Sequence, residues 1–204
     1  MKLKQLLQTD TPASWQVEVL LDSDLAISSG TGGGAWVDKL VIRDTDGLPC
    51  IPGSHFKGVV RDAAERIAQA MGEKTCHAPR ADRMCPDSSG SLCIVCRVFG
   101  CPQRASSIAF SDLLLTTREL SADTLCRIRN GVSLDRWRKT AMQGRLFSIE
   151  VVPSGLTFRG SISHTRPLDA RETALLRRAL AMVDSLGGNK SRGLGRVTVA
   201  VEGA

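Results

Sequence analysis

The sequence has 204 residues but contains no tyrosine, and only three tryptophans and five phenylalanines. A site built from rows of aromatic rings that stack successive bases is therefore not expected. The chain also has no apolar run long enough to cross a membrane, and its first twenty residues contain no signal-peptide core. We therefore predict a cytoplasmic protein without a membrane partner.

Positive charge and a substantial apolar fraction are what the sequence does have. The formal net charge is +6, and 42% of the residues are hydrophobic. That apolar fraction can fill the core of one domain, which we place at residues 1–204. The surplus of cations favours a polyanionic partner without specifying which one. Arginine dominates the cations of the C-terminal half, and its guanidinium suits bidentate phosphate contacts.

Hydrophobic periodicity predicts an α+β domain. The predicted elements are strand 15–21, helix 54–71, strand 108–114, strand 146–152, strand 156–162, helix 169–186 and strand 197–201. Apart from strand 146–152, the order is βαββαβ, which is typical of ferredoxin-like and RNA-recognition-type domains. Two polar segments interrupt it, at residues 72–104 and 117–145.

Local signals place the ends of these elements. We predict that Ser54 caps the first helix, and that Asp169 and Glu172 form a capping box on the second, which Gly187 ends. Pro153 to Gly155 predicts a turn that joins strands 146–152 and 156–162 into a hairpin.

Five of the seven cysteines lie in the first interrupting segment. Cys93 and Cys96 have the two-residue spacing that lets two thiolates reach one ion, and a segment without its own core gains stability from metal. We predict a structural Zn²⁺ site; His77 could replace Cys76, and Cys101 is a weaker candidate. The predicted ligands are Cys76, Cys85, Cys93 and Cys96. Free or buried thiols are the alternative.

Two basic regions are candidates for phosphate binding. Lys57 and Arg61 lie one turn apart near a predicted helix N-terminus, which itself attracts anions. The loop 187–195 combines glycines with cations, and glycines let a backbone approach a phosphate closely. Any single one of these cations is more often a solvated surface charge. The basic segment 117–145 is predicted to project as an arm with Trp137 at its apolar tip.

Five motifs, in this order, together resemble the RAMP-superfamily backbone subunits of type III CRISPR effector complexes. They are Asp38-Lys-Leu-Val-Ile-Arg-Asp44, Ile51-Pro-Gly-Ser-His-Phe-Lys-Gly-Val-Val-Arg61, Cys93-Ile-Val-Cys96-Arg-Val-Phe-Gly100, Asn130-Gly-Val-Ser-Leu-Asp-Arg136 with Leu146-Phe-Ser-Ile-Glu-Val-Val152, and Gly187-Gly-Asn-Lys-Ser-Arg-Gly-Leu-Gly195. The third is similar to the family's zinc knuckle, and the fourth to the root of its thumb-like β-hairpin.

The resemblance implies a palm with a protruding thumb. It implies that subunits, identical or homologous, pack head to tail along a CRISPR guide RNA beside other effector subunits. The thumb would enter the guide–target duplex and flip out one nucleotide at regular intervals, and Asp38 would support Mg²⁺- or Mn²⁺-dependent cleavage of the target RNA there. We assign RNA binding to Ser54, His55, Lys57, Arg61, Arg136, Lys190, Arg192 and Arg196.

Two other functions stay open at this stage. The same subunit could hold guide RNA without cutting the target. A stand-alone RAMP endonuclease that processes guide precursors is less consistent with the sequence, because that activity implies a second domain and an acid–base set that includes tyrosine, which this chain lacks.

Overall fold

The computed structural model describes residues 14–30, 32, 37–76, 78, 80–85, 91–117 and 125–203. Its strands are β1 Ser14–Leu21, β2 Cys50–Ile51, β3 Ile108–Phe110, β4 Leu113–Leu115, β5 Arg127–Asp135, β6 Thr140–Val151, β7 Thr157–His164 and β8 Val197–Glu202. Its α-helices are α1 Gly53–Ala70, α2 Ile94–Phe99 and α3 Ala170–Ala181, and short 3₁₀ turns lie at Ala81–Arg83 and Lys190–Arg192.

The main sheet is antiparallel and has the strand order β2-β4-β7-β1-β8, with β3 also paired to β7. Alternation along β1 buries Trp15, Val17, Val19 and Leu21, as the sequence predicts. These side chains share one hydrophobic core with the apolar stripes of α1 and α3. The main sheet and the two helices therefore form an α+β body around a single core.

The start of α1 differs from the prediction. The helix begins at Gly53, and its N-cap residue is Pro52, which has no side-chain acceptor, so Ser54 is an exposed first-turn residue rather than a cap. The Gly53 N–H instead donates to Asp112 Oδ1 at 2.7 Å. A Cβ on Gly53 would lie 2.5 Å from the Phe110 carbonyl oxygen, so this close approach requires glycine. A carboxylate of the protein thus occupies one donor that a phosphate could have used.

The helix α3 has the predicted start and a different end. Asp169 accepts from the Glu172 N–H, and the Glu172 side chain accepts from the Asp169 N–H, which completes the capping box. The helix ends at Ala181 rather than near Gly187. Val183 and Leu186 are buried as predicted, but they lie in the non-helical segment that follows the helix.

The hairpin that we predicted around Pro153 to Gly155 is wrong. The strand β6 pairs with β5 in a separate two-stranded sheet, whereas β7 pairs with β1, β3 and β4. The turn carries the chain from one sheet to the other: Val152 exchanges backbone hydrogen bonds with Leu25, and the Gly155 N–H donates to the Leu21 carbonyl. Turn residues report a change of direction, but they do not specify which strand becomes the partner.

Candidate functional site

The four predicted metal-ligating cysteines converge. The sulfur atoms of Cys76, Cys85, Cys93 and Cys96 all lie within 4.8 Å of one another. Sulfurs that share a tetrahedral zinc at 2.3 Å lie about 3.8 Å apart, and the Cys76–Cys93 distance is 3.8 Å while the Cys76–Cys96 distance is 3.3 Å. The donor set and its spacing fit a metal such as zinc. Cys101 lies outside this group, and His77 lies outside the described residues.

The helix α2 and the end of α1 position the cluster. Cys93 is the N-cap of α2 and its sulfur accepts from the Cys96 N–H, which places both thiols on the first turn. Burial raises the pKa of the Cys85 thiol to about 11 and also raises the pKa of Cys96. Both thiols therefore remain protonated at neutral pH without a cation, so a metal that binds here must displace protons.

Arg61 joins α1 to this cluster. Its Nη2 lies 3.7 Å from the Cys96 sulfur, its Nη1 donates to the Gly100 carbonyl at 3.0 Å, and its Nε donates to Glu65 at 2.9 Å. Each of the three nitrogens of this half-buried guanidinium therefore already has a partner within the protein.

Asp38 lies at the free edge of β6. Its N–H donates to the Ser148 carbonyl at 3.0 Å, and its Oδ2 accepts from the Ser148 N–H at 2.6 Å. The neighbouring residue Lys39 accepts from the Glu150 N–H, and the Glu150 carboxylate accepts from the Val41 N–H and from Arg43. These bonds hold an exposed carboxylate at the root of the β5–β6 hairpin. Within the described ranges, Asp38 belongs to no group of three or more metal-ligating side chains.

His55 connects α1 to the glycine loop, which we define as residues 187–195. Its Nε2 accepts from the Gly187 N–H at 3.1 Å. Burial, and then the nearby Lys190 charge, lower the pKa of this imidazole, so it is neutral at pH 7 and keeps the acceptor. His55 lines a cavity of about 200 Å³ together with Lys39, Glu150 and Asn189. The end of the glycine loop packs closely on the preceding backbone: a Cβ on Gly195 would lie 1.9 Å from the Leu186 carbonyl oxygen.

A larger cleft of about 570 Å³ separates the glycine loop from the inner face of the hairpin. Its lining includes Arg129, Arg136, Phe147, Asn189 and Arg192. The Arg192 guanidinium lies over the Phe147 ring, 5.3 Å from its centroid. We refer to this feature as the arginine cleft. Asp24, 3.8 Å from Arg129, supplies an acidic group at one side of it.

A profile of the RAMP superfamily matches residues 19–198. The chain belongs to the RAMP superfamily. A chain of the solved structure described as "Type III-B Cmr-beta Cryo-EM structure of the Apo state" superposes on this RAMP chain with a TM-score of 0.66 and 14% sequence identity, covering 93% of this chain and 97% of that one. At that identity the likeness shows a shared fold. No curated protein matches this chain.

The RAMP chain brings only part of the predicted RNA-binding set together. Arg136 and Arg192 line the arginine cleft, and His55 lines the smaller cavity beside it. Lys190 donates to the Ser185 carbonyl, and Arg196 forms a backbone bridge with Ser185. The remaining three residues lie on α1: Ser54 is exposed, Lys57 is half-buried and Arg61 contacts the cysteine cluster.

No helix in the described ranges of this RAMP chain is long and apolar enough to cross a membrane.

Sequence reasoning missed two side chains of the arginine cleft, Arg129 and Phe147. Arg129 pairs with Ile149, and Gly131 pairs with Phe147 in the β5–β6 register, so all four lie on one face of the hairpin. The alternation of side chains along β5 and β6 could have identified both residues. It does so only once the two strands are known to pair with each other.

Proposed function

We propose that this RAMP protein is a backbone subunit of a type III CRISPR effector complex, which binds guide RNA and cleaves complementary target RNA. The observation that carries the proposal is the position of Asp38. Its carboxylate accepts a hydrogen bond from Ser148 at the root of a projecting hairpin. Ser148 belongs to β6, the strand that also supplies Phe147 to the arginine cleft. A subunit built in this way would hold an RNA backbone in the cleft and present a carboxylate beside it.

The parts of the fold take the roles that the family resemblance implies. The strand order β8-β1-β7-β4 supports a ferredoxin-like palm with β8 at one edge. The β5–β6 hairpin is the thumb, and Trp137 at its tip has 93% of its surface exposed. The cysteine segment would be held by structural zinc. The chain would act in the cytoplasm of a prokaryote, packed head to tail with copies of itself or homologous RAMP subunits and beside other effector subunits.

Asp38 would act on target RNA where the thumb interrupts the duplex. A nucleotide that leaves A-form geometry can bring its 2′-OH in line with the adjacent phosphate. The carboxylate, oriented by the Ser148 N–H, would then position that hydroxyl or hold a divalent cation near the scissile phosphate. Bound Mg²⁺ or Mn²⁺ would supply charge stabilisation of the phosphate oxygens. Base pairing delivers the sequence specificity, so the protein needs contacts to phosphate and sugar.

The second candidate is a scaffold subunit that binds guide RNA and does not cut. One observation favours it: in the part of the chain that the structure describes, no second carboxylate joins Asp38 in a metal-ligating group. Cleavage would therefore depend on RNA oxygens and water to complete the coordination of the cation.

The test is to assemble the complex with guide RNA, complementary target and Mg²⁺ or Mn²⁺. We expect wild-type protein to cut the target at regular intervals, and Asp38→Ala to reduce cleavage by about 100-fold or more while guide binding is retained. Asp62→Ala is the matched control, since Asp62 is an exposed carboxylate on α1 that pairs with Arg66. Cuts that persist in Asp38→Ala exclude Asp38 as the catalytic residue. A wild-type complex that does not cut supports the scaffold.

A further inference from the structure

Phe147 stands apart from the other phenylalanines. Phe56, Phe99 and Phe158 are buried in the core, and Phe110 packs edge to face against Phe56. Phe147 instead is half-buried: it packs against the small hydrophobic cluster of Ile149, Val151 and Leu194, and it also lines the arginine cleft. Part of its ring therefore borders a cationic cavity.

The ring of Phe147 lies over the backbone of β5. Phe147 is directly across the strand pair from Gly131, and a Cβ on Gly131 would lie 2.3 Å from the ring atom Cζ. A side chain at position 131 would therefore have to displace the ring. In the cleft, the Arg192 guanidinium lies 5.3 Å from the ring centroid. The ring thus rests on backbone, and a charged side chain covers it from the cleft.

We propose that Phe147 is a stacking position for one unpaired nucleobase, which takes the place of the Arg192 guanidinium on the ring. This inference rests on the proposed RNA-binding function and adds to it a specific subsite. Base stacking on an aromatic ring is tolerant of sequence, and it is generally stronger than an exposed cation–π contact, so the exchange favours the base. The displaced Arg192, with Arg129 and Arg136 of the same cleft, is then available to the flanking phosphates.

The subsite is tested with the full chain and a short single-stranded RNA that carries the fluorescent base 2-aminopurine at successive positions. In single-stranded RNA the neighbouring bases quench 2-aminopurine, so we expect its fluorescence to increase where the base leaves them to stack on Phe147, at one position or at one regular interval. Phe147→Leu, which keeps an apolar side chain but removes the ring, should abolish that increase and weaken RNA binding by about 5-fold to 150-fold. Phe147→Trp should restore the binding.

Leu146→Ala is the matched control. Leu146 is the adjacent residue of β6, so it lies on the opposite face of the hairpin, where it is 69% exposed. This variant should bind RNA and increase 2-aminopurine fluorescence like wild type. A Leu146→Ala effect as large as that of Phe147→Leu would overturn the subsite, because both changes would then act through the stability of the hairpin.

The outcomes separate the subsite from the function on which it rests. If wild type binds RNA in a salt-dependent way but shows no fluorescence increase at any position, and Phe147→Leu binds equally well, the stacking subsite is wrong and the RNA-binding proposal stands. If neither the chain alone nor the assembled complex retains RNA, both proposals fail. The absence of any fluorescence increase with wild-type protein excludes the subsite even if Phe147→Leu does not fold.

Discussion

The cysteine cluster and the arginine cleft use arginine in opposite ways. At the cysteine cluster, Arg61 is half-buried and bonds to Glu65, the Gly100 carbonyl and the Cys96 sulfur. At the arginine cleft, Arg192 covers a phenylalanine ring at the border of an open cavity. Both residues are cations in motifs that suggest phosphate binding. The difference teaches that burial and existing partners, rather than charge, separate a structural arginine from one that can bind a ligand.

The largest expected effect is the loss of metal from the cysteine cluster. We expect metal analysis of purified protein to find about one zinc per chain, and Cys96→Ser to reduce this to near zero. Structural zinc can supply on the order of 10 kcal/mol of folding free energy in small domains, so chelation should increase hydrogen exchange in the segment 76–101. Cys101→Ser is the control, because Cys101 lies outside the cluster. A fully folded segment with no bound metal would exclude the zinc site.

The same substitution at the two arginines should affect different properties of the protein. Arg61→Met leaves a buried Gly100 carbonyl and Glu65 without their donor, which should cost about 1.5–3 kcal/mol of unfolding free energy and hasten zinc release to a chelator. Its RNA affinity should change less than about twofold. Arg192→Met should weaken RNA binding while its unfolding free energy stays within about 0.5 kcal/mol of wild type. Denaturant unfolding, zinc release and RNA titration measure the three effects, and identical profiles for the two variants would contradict the distinction.

Salt dependence provides a finer measure of the same difference. Each phosphate contact to single-stranded RNA contributes about 0.7 to the slope of log affinity against log salt concentration. We expect Arg192→Met and Arg136→Met each to reduce the slope by roughly that amount, and Arg61→Met to leave it unchanged. Binding that does not respond to salt would exclude a phosphate-binding cleft.

The smallest expected effect concerns His55. Burial lowers its pKa in the folded state, so as the pH falls below about 6.5 the unfolded chain takes up a proton more readily than the folded one. The contribution to stability is therefore complete above that pH and is lost on acidification, by no more than about 1 kcal/mol at a half-buried site. His55→Gln retains an acceptor for the Gly187 N–H but does not titrate. Its melting temperature should fall less than that of wild type between pH 7 and pH 5, and an equal fall would exclude His55 as the source.

The sequence predicted those parts of the fold that depend on local chemistry. The Asp169 capping box and the alternation of β1 are local patterns, and the structure contains both. The four cysteines predicted as a group lie together, and the two-residue spacing of Cys93 and Cys96 is the local signal that indicated them.

Predictions failed where a distant partner decides the outcome. Ser54 has the residue type of a helix cap, but Asp112, 59 residues away from Gly53, supplies the acceptor at the start of α1. The hairpin around Pro153 to Gly155 failed for the same reason, since local turn signals cannot show that β6 pairs backwards with β5. Phe147 was missed because its position in the cleft follows from that pairing. The role of Asp38 and the individual RNA contacts stay predictions.

The two hydrogen bonds between Asp38 and Ser148 set the distance between the Asp38 carboxylate and the hairpin tip. Ser148 lies opposite Asn130, and Thr140, at the hairpin tip, lies opposite Asp135, five residues further along β5, which is roughly 17 Å at about 3.3 Å per residue. The carboxylate and the tip of the hairpin are therefore attached to the same two-stranded sheet. In a subunit that cuts at Asp38, the offset between the point where the hairpin enters a duplex and the point of scission would be set by the length of the hairpin, independently of the nucleotide sequence between them.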